Sequence, residues 1–290
     1  MGKNDKDDFS LRDVLQIPPD PGDARAHLQE IHPAATPLAP GKKSHTKKQM
    51  KKYGPELTDL QEKLYAQAQA DDVDRVLIVL QGMDTSGKGG IVEHVFGLIN
   101  PAGLLLRSFK APTKEELAHD FLWRVTKALP EPGTIGIFDR SQYEDVLIVR
   151  VHDLIPEAEW TARYEAINGF EADLAASGCR IIKCFLNVSF SMQRERLIAR
   201  LDDPNKHWKF NFGDIKERGY WADYQVAYLD ALTKCNSDGA PWYSIPADHK
   251  WYRNWAISRL LLETMRDINP QYPQMDFDVP DLKGQLAAPN

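Results

Sequence analysis

The sequence predicts an α/β protein in which one parallel sheet is covered by helices on both faces. Short apolar segments alternate with amphipathic helical patterns along most of the chain. The strand candidates are continuously apolar, as strands buried on both faces are. A glycine-rich turn at residues 82–90 follows the first strand candidate and precedes a helical pattern. These three observations predict a three-layer α/β/α fold.

Each predicted element follows from its apolar spacing. The predicted strands are residues 76–80, 104–109, 134–138, 180–188 and 242–245. The predicted helices are residues 57–70, 89–100, 114–129, 160–176, 190–201, 218–233 and 250–267. We therefore expect a five-stranded parallel sheet in a domain that spans residues 56–268. An irregular arm rich in Pro, Asp and Lys is expected at residues 1–55, and an irregular tail at residues 269–290.

Composition bounds the possible functions. The 290 residues carry a formal net charge of −6, which gives no overall attraction for nucleic acid. No apolar run approaches membrane length, and the first residues lack the apolar region of a secretory signal. Cys179, Cys184 and Cys235 show no metal-site spacing and fit a reducing compartment. We expect a cytoplasmic protein that binds neither nucleic acid nor membranes.

Residues 42–52 form a local basic segment. It contains six lysines and no acidic residue: Lys42, Lys43, Lys47, Lys48, Lys51 and Lys52. Such a run is either a solvated segment or an arm that binds anions, and the sequence leaves both open.

The turn Gly82-Met-Asp-Thr-Ser-Gly-Lys-Gly-Gly90 carries the strongest chemical signal. Gly82, Gly87 and Lys88 match the phosphate-loop spacing G-x-x-x-x-G-K, in which backbone N–H groups at a helix N-terminus bind phosphate. Gly89 replaces the usual Ser or Thr, so the hydroxyl that ligates Mg²⁺ is missing. Asp84 within the loop is a candidate to bridge to phosphate through Mg²⁺. The alternative is that the segment is only a tight turn and that Lys88 has no role in binding phosphate.

Two further strand ends carry charged residues. The third strand ends in Asp139, followed by Arg140, and Lys110 follows the second strand. Because ligands bind outside the carboxyl ends of parallel strands, these side chains are expected at one crevice with the loop. Asp139 is a candidate metal contact and Arg140 a candidate phosphate clamp. Helix capping by Asp139 and a salt bridge by Arg140 are the alternatives.

The segment after the fourth strand reads as a mobile lid over about residues 194–218. Such lids exclude water and bring positive charge to phosphoryl groups. A solvated charged helix face is the alternative. The candidate phosphate-binding cations of the lid are Arg194, Arg196, Arg200, Lys206 and Lys209.

These motifs together resemble the polyphosphate kinase 2 family over roughly residues 57–267. The resemblance is carried by residues 82–90, 112–124, 138–147 and 194–209. It implies a phosphate-loop kinase fold similar to thymidylate kinase, and Mg²⁺-dependent transfer between inorganic polyphosphate and a nucleotide. It implies catalytic roles for Asp84, Lys88, Asp139 and Arg140, with Asp84 and Asp139 at the metal. We also expect a homo-oligomer, a dimer or a tetramer.

The residues after Asp139-Arg140-Ser141 bear on the acceptor nucleotide. The family's ADP-preferring class typically reads Trp-Tyr-Asn there, whereas this chain reads Gln142-Tyr143-Glu144. Glu144 resembles the class that phosphorylates AMP as well as ADP and is the candidate acceptor-side residue; Gln142 matches neither pattern. GMP and GDP remain possible acceptors. Two other functions stay open: an ATP-dependent nucleoside monophosphate kinase, and a non-catalytic module that binds polyphosphate or nucleotide.

Overall fold

A computed structural model describes residues 10–70 and 72–287 of the chain. Five parallel strands form one sheet in the order β2-β3-β1-β4-β5. Their bounds are β1 Arg75–Gln81, β2 Leu104–Ser108, β3 Ile135–Asp139, β4 Cys179–Asn187 and β5 Trp242–Pro246. The predicted five-stranded parallel sheet is therefore confirmed, and each strand lies within two residues of its predicted bounds.

Twelve α-helices and four short 3-10 helices are found in the described residues. The α-helices are α1 Leu11–Leu15, α2 Pro21–Glu30, α3 Lys43–Ala68, α4 Lys88–His94, α5 Trp123–Thr126, α6 Glu144–Val151, α7 Glu157–Ala176, α8 Phe190–Leu201, α9 Gly213–Gly219, α10 Trp221–Lys234, α11 Lys250–Ile268 and α12 Val279–Ala287. The 3-10 helices are Phe96–Leu98, Pro101–Gly103, Glu116–Ala118 and Pro204–Lys209.

The helices form a layer on each side of the sheet. Helices α3, α4 and α11 pack together in one layer, and α6, α7 and α10 in the other. The strands are almost entirely buried except β2, whose side chains are largely exposed. β2 is an edge strand, so one of its sides has no neighbouring strand within the described residues. None of the described helices has the length and apolarity needed to cross a membrane.

The N-terminal part differs from the irregular arm predicted for residues 1–55. Residues 1–9 lie outside the described part, but α1, α2 and the first thirteen residues of α3 are helical. The lysine-rich run belongs to α3, because Thr46, Met50 and Tyr53 bury one side of it. Pro55 lies inside α3. Proline usually interrupts a helix, but α3 continues through it.

The crossing from β2 to β3 is also less helical than predicted. The Thr113–Glu116 capping box forms, with the Thr113 N–H donating to Glu116 Oε2 at 2.8 Å. The helix nevertheless ends at Ala118, and only α5 follows. Asp120 accepts a hydrogen bond from the Leu122 N–H (2.9 Å), a local turn that competes with helix. At the other end of the chain, α12 replaces part of the predicted irregular tail.

A buried polar cluster joins the sheet to the second helical layer. Lys183 on β4 donates to Glu171 Oε2 on α7 at 2.6 Å and to the Tyr143 hydroxyl at 2.9 Å. Tyr143 Oη and Gln142 Nε2 both donate to Glu171 Oε1, at 2.7 and 3.0 Å. Gln142, which matched neither class of the family, therefore belongs to this internal network and does not line the crevice.

All three cysteines are buried and carry free thiols. Burial raises the pKa of the Cys179 thiol and of the Cys235 thiol to about 12, and it raises the pKa of Cys184 as well. These residues pack in the core, as apolar thiols commonly do.

Candidate active site

The glycine-rich turn joins β1 to α4 and has the backbone of a phosphate loop. Gly82 and Gly87 have φ of 151° and 103°, a region that side chains rarely adopt. A Cβ atom at Gly82 would lie 2.7 Å from the Leu186 carbonyl oxygen, so only glycine fits there. In the described chain, the N–H groups of Gly87, Lys88 and Gly89 have no acceptor. Three successive free donors at a helix N-terminus form an anion site.

Lys88 begins α4 and is half-buried. Its ammonium donates to the Gly82 carbonyl oxygen at 2.9 Å, so the side chain folds back over the loop. Burial, together with the nearby Arg140, lowers the pKa of Lys88, while Asp84, Asp139 and Glu144 oppose this shift. Lys88 therefore lies within electrostatic range of every other residue that the sequence proposed as catalytic.

Arg140 is the centre of a charged cluster at the end of β3. Its Nη2 donates to Asp84 Oδ1 at 3.1 Å, and its Nη1 lies 4.0 Å from Glu144 Oε2. The backbone of Arg140 has φ of 66°, and its N–H donates to the Leu80 carbonyl oxygen at 3.0 Å. This left-handed residue costs conformational energy, and the neighbouring strand β1 holds it in place. The predicted meeting of loop and strand end is thus present.

Glu144 lies next to Arg140, in the first turn of α6. Burial raises the pKa of Glu144, and Arg140 and Lys88 counteract that shift. With the Gln81 amide oriented to satisfy its neighbours, its nitrogen donates to Glu144 Oε1 at 3.1 Å and its oxygen accepts from Ser141 N at 3.2 Å. Gln81, the buried last residue of β1, thereby fixes the Glu144 carboxylate beside the loop.

The residues suit a metal ion held jointly with substrate. Among residues 10–70 and 72–287, no three His, Cys, Asp or Glu side chains converge into a complete metal site. Asp139 has no side-chain hydrogen bond in the described structure, and Asp84 is only partly exposed, with one carboxylate oxygen on Arg140. The buried hydroxyls of Thr85 and Ser86 in the loop also lack partners in the described chain. Mg²⁺ commonly takes one or two carboxylates and completes its shell with water and phosphate oxygens.

The cations of the predicted lid differ in their surroundings. Arg196 is turned inward: its Nη1 donates to the Thr85 carbonyl oxygen (2.8 Å) and its Nη2 to that of Asp248 (2.9 Å). It therefore supports the loop from behind, and its guanidinium is engaged by backbone. Arg200 is held by Asp214 at 3.2 Å and by the Lys209 carbonyl oxygen at 3.1 Å.

The other predicted cations are exposed. Arg194 lies on the outer face of α8, and Lys110 follows β2 at the sheet edge. Lys206 is paired with Asp203 at 2.6 Å, and Lys209 Nζ lies 4.9 Å from the centre of the Trp208 ring. Trp208 and Phe212 are 79% and 86% exposed, so the segment predicted to be a lid has aromatic side chains open to solvent beside its charged ones.

Two basic residues near the loop were not predicted. Arg253 on α11 is buried and donates to the Ser86 carbonyl oxygen at 2.8 Å. Lys250 starts the same helix, and burial, together with Arg196 and Arg253, lowers its pKa. The sequence signal that could have found them is the basic pair at i, i+3 just after β5, because the carboxyl end of that strand meets the same crevice.

An α/β sheet with a glycine-rich phosphate loop, a strand-end Asp-Arg pair and a basic helix after β4 defines the class of phosphate-loop kinases. The family model described as polyphosphate kinase 2 (PPK2) matches residues 41–273. The chain therefore belongs to the polyphosphate kinase 2 family and is a polyphosphate kinase enzyme.

Relatives across nearly the whole chain support the assignment. The chain is 45% identical over 252 residues to an AMP/ADP-polyphosphate phosphotransferase of Meiothermus ruber, covering 87% of this chain and 93% of that protein. It is also 45% identical to an ADP-polyphosphate phosphotransferase of Rhodopseudomonas palustris, covering 75% and 78% of the two chains. The crystal structure of polyphosphate kinase 2 from Arthrobacter aurescens TC1 superposes with a TM-score of 0.91, at 45% identity and 96% coverage of each chain.

Proposed function

We propose that this enzyme transfers a phosphoryl group between inorganic polyphosphate and AMP or ADP, with Mg²⁺, in a single in-line step. The observation that carries the proposal is the meeting of the phosphate loop with Asp84, Arg140 and Glu144 at the ends of β1 and β3. Family membership and the names of the relatives give the substrate class. GMP and GDP are further candidate acceptors.

In the proposed step, an oxygen of the nucleotide's terminal phosphate attacks the terminal phosphorus of polyphosphate. A new P–O bond forms, and the anhydride P–O bond breaks to leave a polyphosphate one unit shorter. The attacking oxygen is already ionised at neutral pH, so no general base is required. The enzyme's task is to align the two anions and offset their repulsion, and no phosphoenzyme forms.

The residues divide this task by position. Gly82, Gly87 and Gly89 let the loop backbone approach the polyphosphate, while Lys88 and Arg140 contact the phosphoryl oxygens as charge shifts. Asp84 and Asp139 would hold Mg²⁺, which when bound screens the phosphate charges and orients the transferred group. Direct contact or contact through water both suit this arrangement.

The lid and strand-end cations are proposed to grip the rest of the polyanion. Lys206, Lys209, Arg194, Arg200 and Lys110 are assigned to the polyphosphate chain. Arg196 acts on the same anion through the loop backbone that it holds.

Glu144 is the proposed acceptor-side residue. AMP places its acceptor phosphate one unit further from the reaction centre than ADP does, so AMP needs a group that spans the gap. The Glu144 carboxylate lies beside Arg140 and is fixed by Gln81. A carboxylate in this position can hold a hydrated cation that orients the AMP phosphate.

One assay tests the proposal. Purified enzyme is incubated with polyphosphate, Mg²⁺ and, separately, AMP, ADP, GMP or GDP, and the nucleotide products are separated and quantified. Formation of ADP from AMP and of ATP from ADP is expected. A parallel reaction with ATP in place of polyphosphate tests the nucleoside monophosphate kinase, and activity with ATP alone would replace our proposal with that function. Absence of turnover with both donors would favour the non-catalytic binding module.

The assembly and location of the enzyme are also proposed. The exposed edge strand β2, with Leu105 and Leu106 open to solvent, supports a homo-oligomer, either a dimer or a tetramer. Sedimentation or light scattering of the purified chain measures this directly. Nucleotide and polyphosphate substrates and the free thiols support a cytoplasmic location.

A further inference from the structure

Arg253 is an internal cation directly behind the phosphate loop. It lies in the first turns of α11 and is only 1% exposed. Its Nη1 donates to the Ser86 carbonyl oxygen at 2.8 Å, and Nε and Nη2 donate to Asn254 Oδ1 at 3.1 and 2.8 Å. The guanidinium plane is therefore fixed by its own neighbour and aimed at the loop.

The contact with the loop is unusually close. A Cβ atom added to Gly87 would lie 1.7 Å from Arg253 Nη1 and 2.7 Å from Cζ. Gly87 thus serves two purposes, since its φ of 103° turns the chain and its missing side chain admits the guanidinium. At Gly90, a Cβ would lie 3.1 Å from Arg253 Nη2.

Arg196 approaches the same carbonyl groups from the lid side. Its Nη1 donates to the Thr85 carbonyl oxygen at 2.8 Å and to the Ser86 carbonyl oxygen at 3.3 Å. The C=O and N–H of one peptide point in opposite directions. When the two arginines hold the Ser86 carbonyl, they therefore turn the Gly87 N–H toward the open side of the loop.

Neither arginine forms a salt bridge in the described chain, and only Arg196 has carboxylates, those of Asp248 and Glu195, that partly offset its charge from a greater distance. Within the described residues, no carboxylate oxygen lies within 4.0 Å of Arg196 or Arg253. Burial, and then the charge of Arg196, lowers the pKa of Arg253. An arginine still stays protonated at neutral pH. Burying two like charges without a salt bridge is unfavourable, so the structure keeps a positive field behind the loop that an external anion can neutralise.

We propose that Arg253, together with Arg196, forms a cationic platform behind the loop that positions its N–H donors and supplies charge for the polyphosphate bound in front. Arg253 is a positioning residue, because the loop backbone separates it from the anion. The inference rests on the proposed role of the loop as the polyphosphate site.

The test separates charge from packing. Arg253→Lys keeps the positive charge, and Arg253→Gln keeps hydrogen bonding without it. Binding of tripolyphosphate is measured by calorimetry, and kcat and KM for polyphosphate are measured alongside. We expect Arg253→Gln to weaken tripolyphosphate binding at least tenfold and to raise KM, and Arg253→Lys to stay within about threefold of the wild type, in line with the strength of charge-assisted contacts.

A matched control lies on the same helix. Arg259 is also buried, but it is paired with Glu263 at 2.6 Å. Arg259→Gln is expected to lower thermal stability and leave the affinity of the folded protein for tripolyphosphate unchanged. If Arg253→Gln does not fold, Arg196→Lys and Arg196→Gln are compared by the same criterion.

The possible results are distinguishable. Equal losses in the Lys and Gln variants, or no loss in either, would overturn the platform, because charge would then not matter. Wild-type protein that binds tripolyphosphate but transfers no phosphate would contradict the proposed function alone, and a loss of binding specific to the Gln variant would still support the platform.

Discussion

Arg140 illustrates how the charged residues of this site influence each other electrostatically. Its guanidinium contacts Asp84 from the loop and approaches Glu144 from α6. Burial alone would lower the pKa of Arg140, but the carboxylates of Glu144 and Asp84 raise it overall. The cluster therefore holds a fixed positive charge next to the carboxyl groups of Asp84 and Glu144. The loop residue Asp84 and the i,i+4 pair Arg140 and Glu144 thus form one electrostatic unit, and a change at one is expected to alter the others.

Replacing Lys88 by alanine is expected to lower kcat by about 10²–10³, because a preorganised charge at the transferring phosphoryl group would be lost. Steady-state turnover with polyphosphate and ADP measures this effect. Circular dichroism and the melting temperature serve as controls for the fold. Near-normal turnover in a well-folded variant would contradict the assigned role.

Replacing Asp84 by asparagine is expected to raise the Mg²⁺ concentration needed for half-maximal activity. The amide keeps the shape of the side chain but removes the negative charge that attracts the cation. It also removes the negative charge of the group that lies 3.1 Å from Arg140. A Mg²⁺ titration of the initial rate checks the result, and an unchanged titration curve with unchanged kcat would exclude Asp84 from the metal site.

Replacing Glu144 by asparagine is expected to depress turnover of AMP selectively and to spare ADP. The physical reason is that only the shorter acceptor depends on a group that spans the gap to the reaction centre. The ratio of kcat/KM for AMP and ADP is the measurement. Equal losses with both acceptors would assign Glu144 a general structural role, through its contact with Gln81.

At the scale of elements, Arg200 joins two helices of the segment that we predict to be a lid. Arg200 holds Asp214 and the Lys209 backbone, and these contacts tie α8 to α9. Arg200→Gln and Lys209→Gln are expected to raise KM for polyphosphate more than KM for nucleotide, with a weaker dependence of KM on salt. Lys63→Gln on α3, where Lys63 forms a salt bridge with Asp59 of the same helix, is the matched control. Equal effects on both substrates would contradict a lid contact with polyphosphate.

Elements were predictable where local signals agree. Residues 190–201 were predicted as a helix and form α8, which is capped by the Ser189 hydroxyl at its first turn. Residues 114–129 were not predicted correctly, because the local turn at Asp120 competes with helix. The contact of Arg124 with the Lys110 carbonyl depends in addition on how the chain packs. The lysine-rich start of α3 was missed because its helix depends on burial against α11, which the local sequence does not reveal.

At the scale of the whole molecule, the Lys183–Glu171 pair ties the sheet to the outer helical layer beneath the site. Lys183→Met is expected to lower the free energy of unfolding by about 3–5 kcal/mol, because it leaves a buried carboxylate without its cation. The double variant Lys183→Met, Glu171→Leu should lose less than the sum of the single changes. Urea unfolding measures both, and strict additivity would show that the two charges do not stabilise each other.

For the site as a whole, the residues at strand ends and in the loop were predictable from the sequence. The residues that pack behind the loop were not. Lys88, Asp84, Asp139 and Arg140 follow strand ends or a loop motif, and parallel topology brings strand ends to one crevice. Arg253, Gln81 and the inward role of Arg196 depend on distances between elements that only the packed structure defines. Arg196 carries a positive charge on a basic helix, so its sequence context resembles that of the exposed Arg194. Only its position relative to Ser86 and Asp248 separates the two.

The three buried cysteines give the molecule built-in reporters of its own opening. Alkylating reagents react with the thiolate, and a thiol with a pKa near 12 in a closed core offers almost none. Labelling must therefore wait for a fluctuation that exposes the residue. Cys179 and Cys184 sample the start and the interior of β4, while Cys235 samples the end of α10. Mass spectrometry of labelled peptides can thus rank the opening of three regions in the native chain, without an engineered probe.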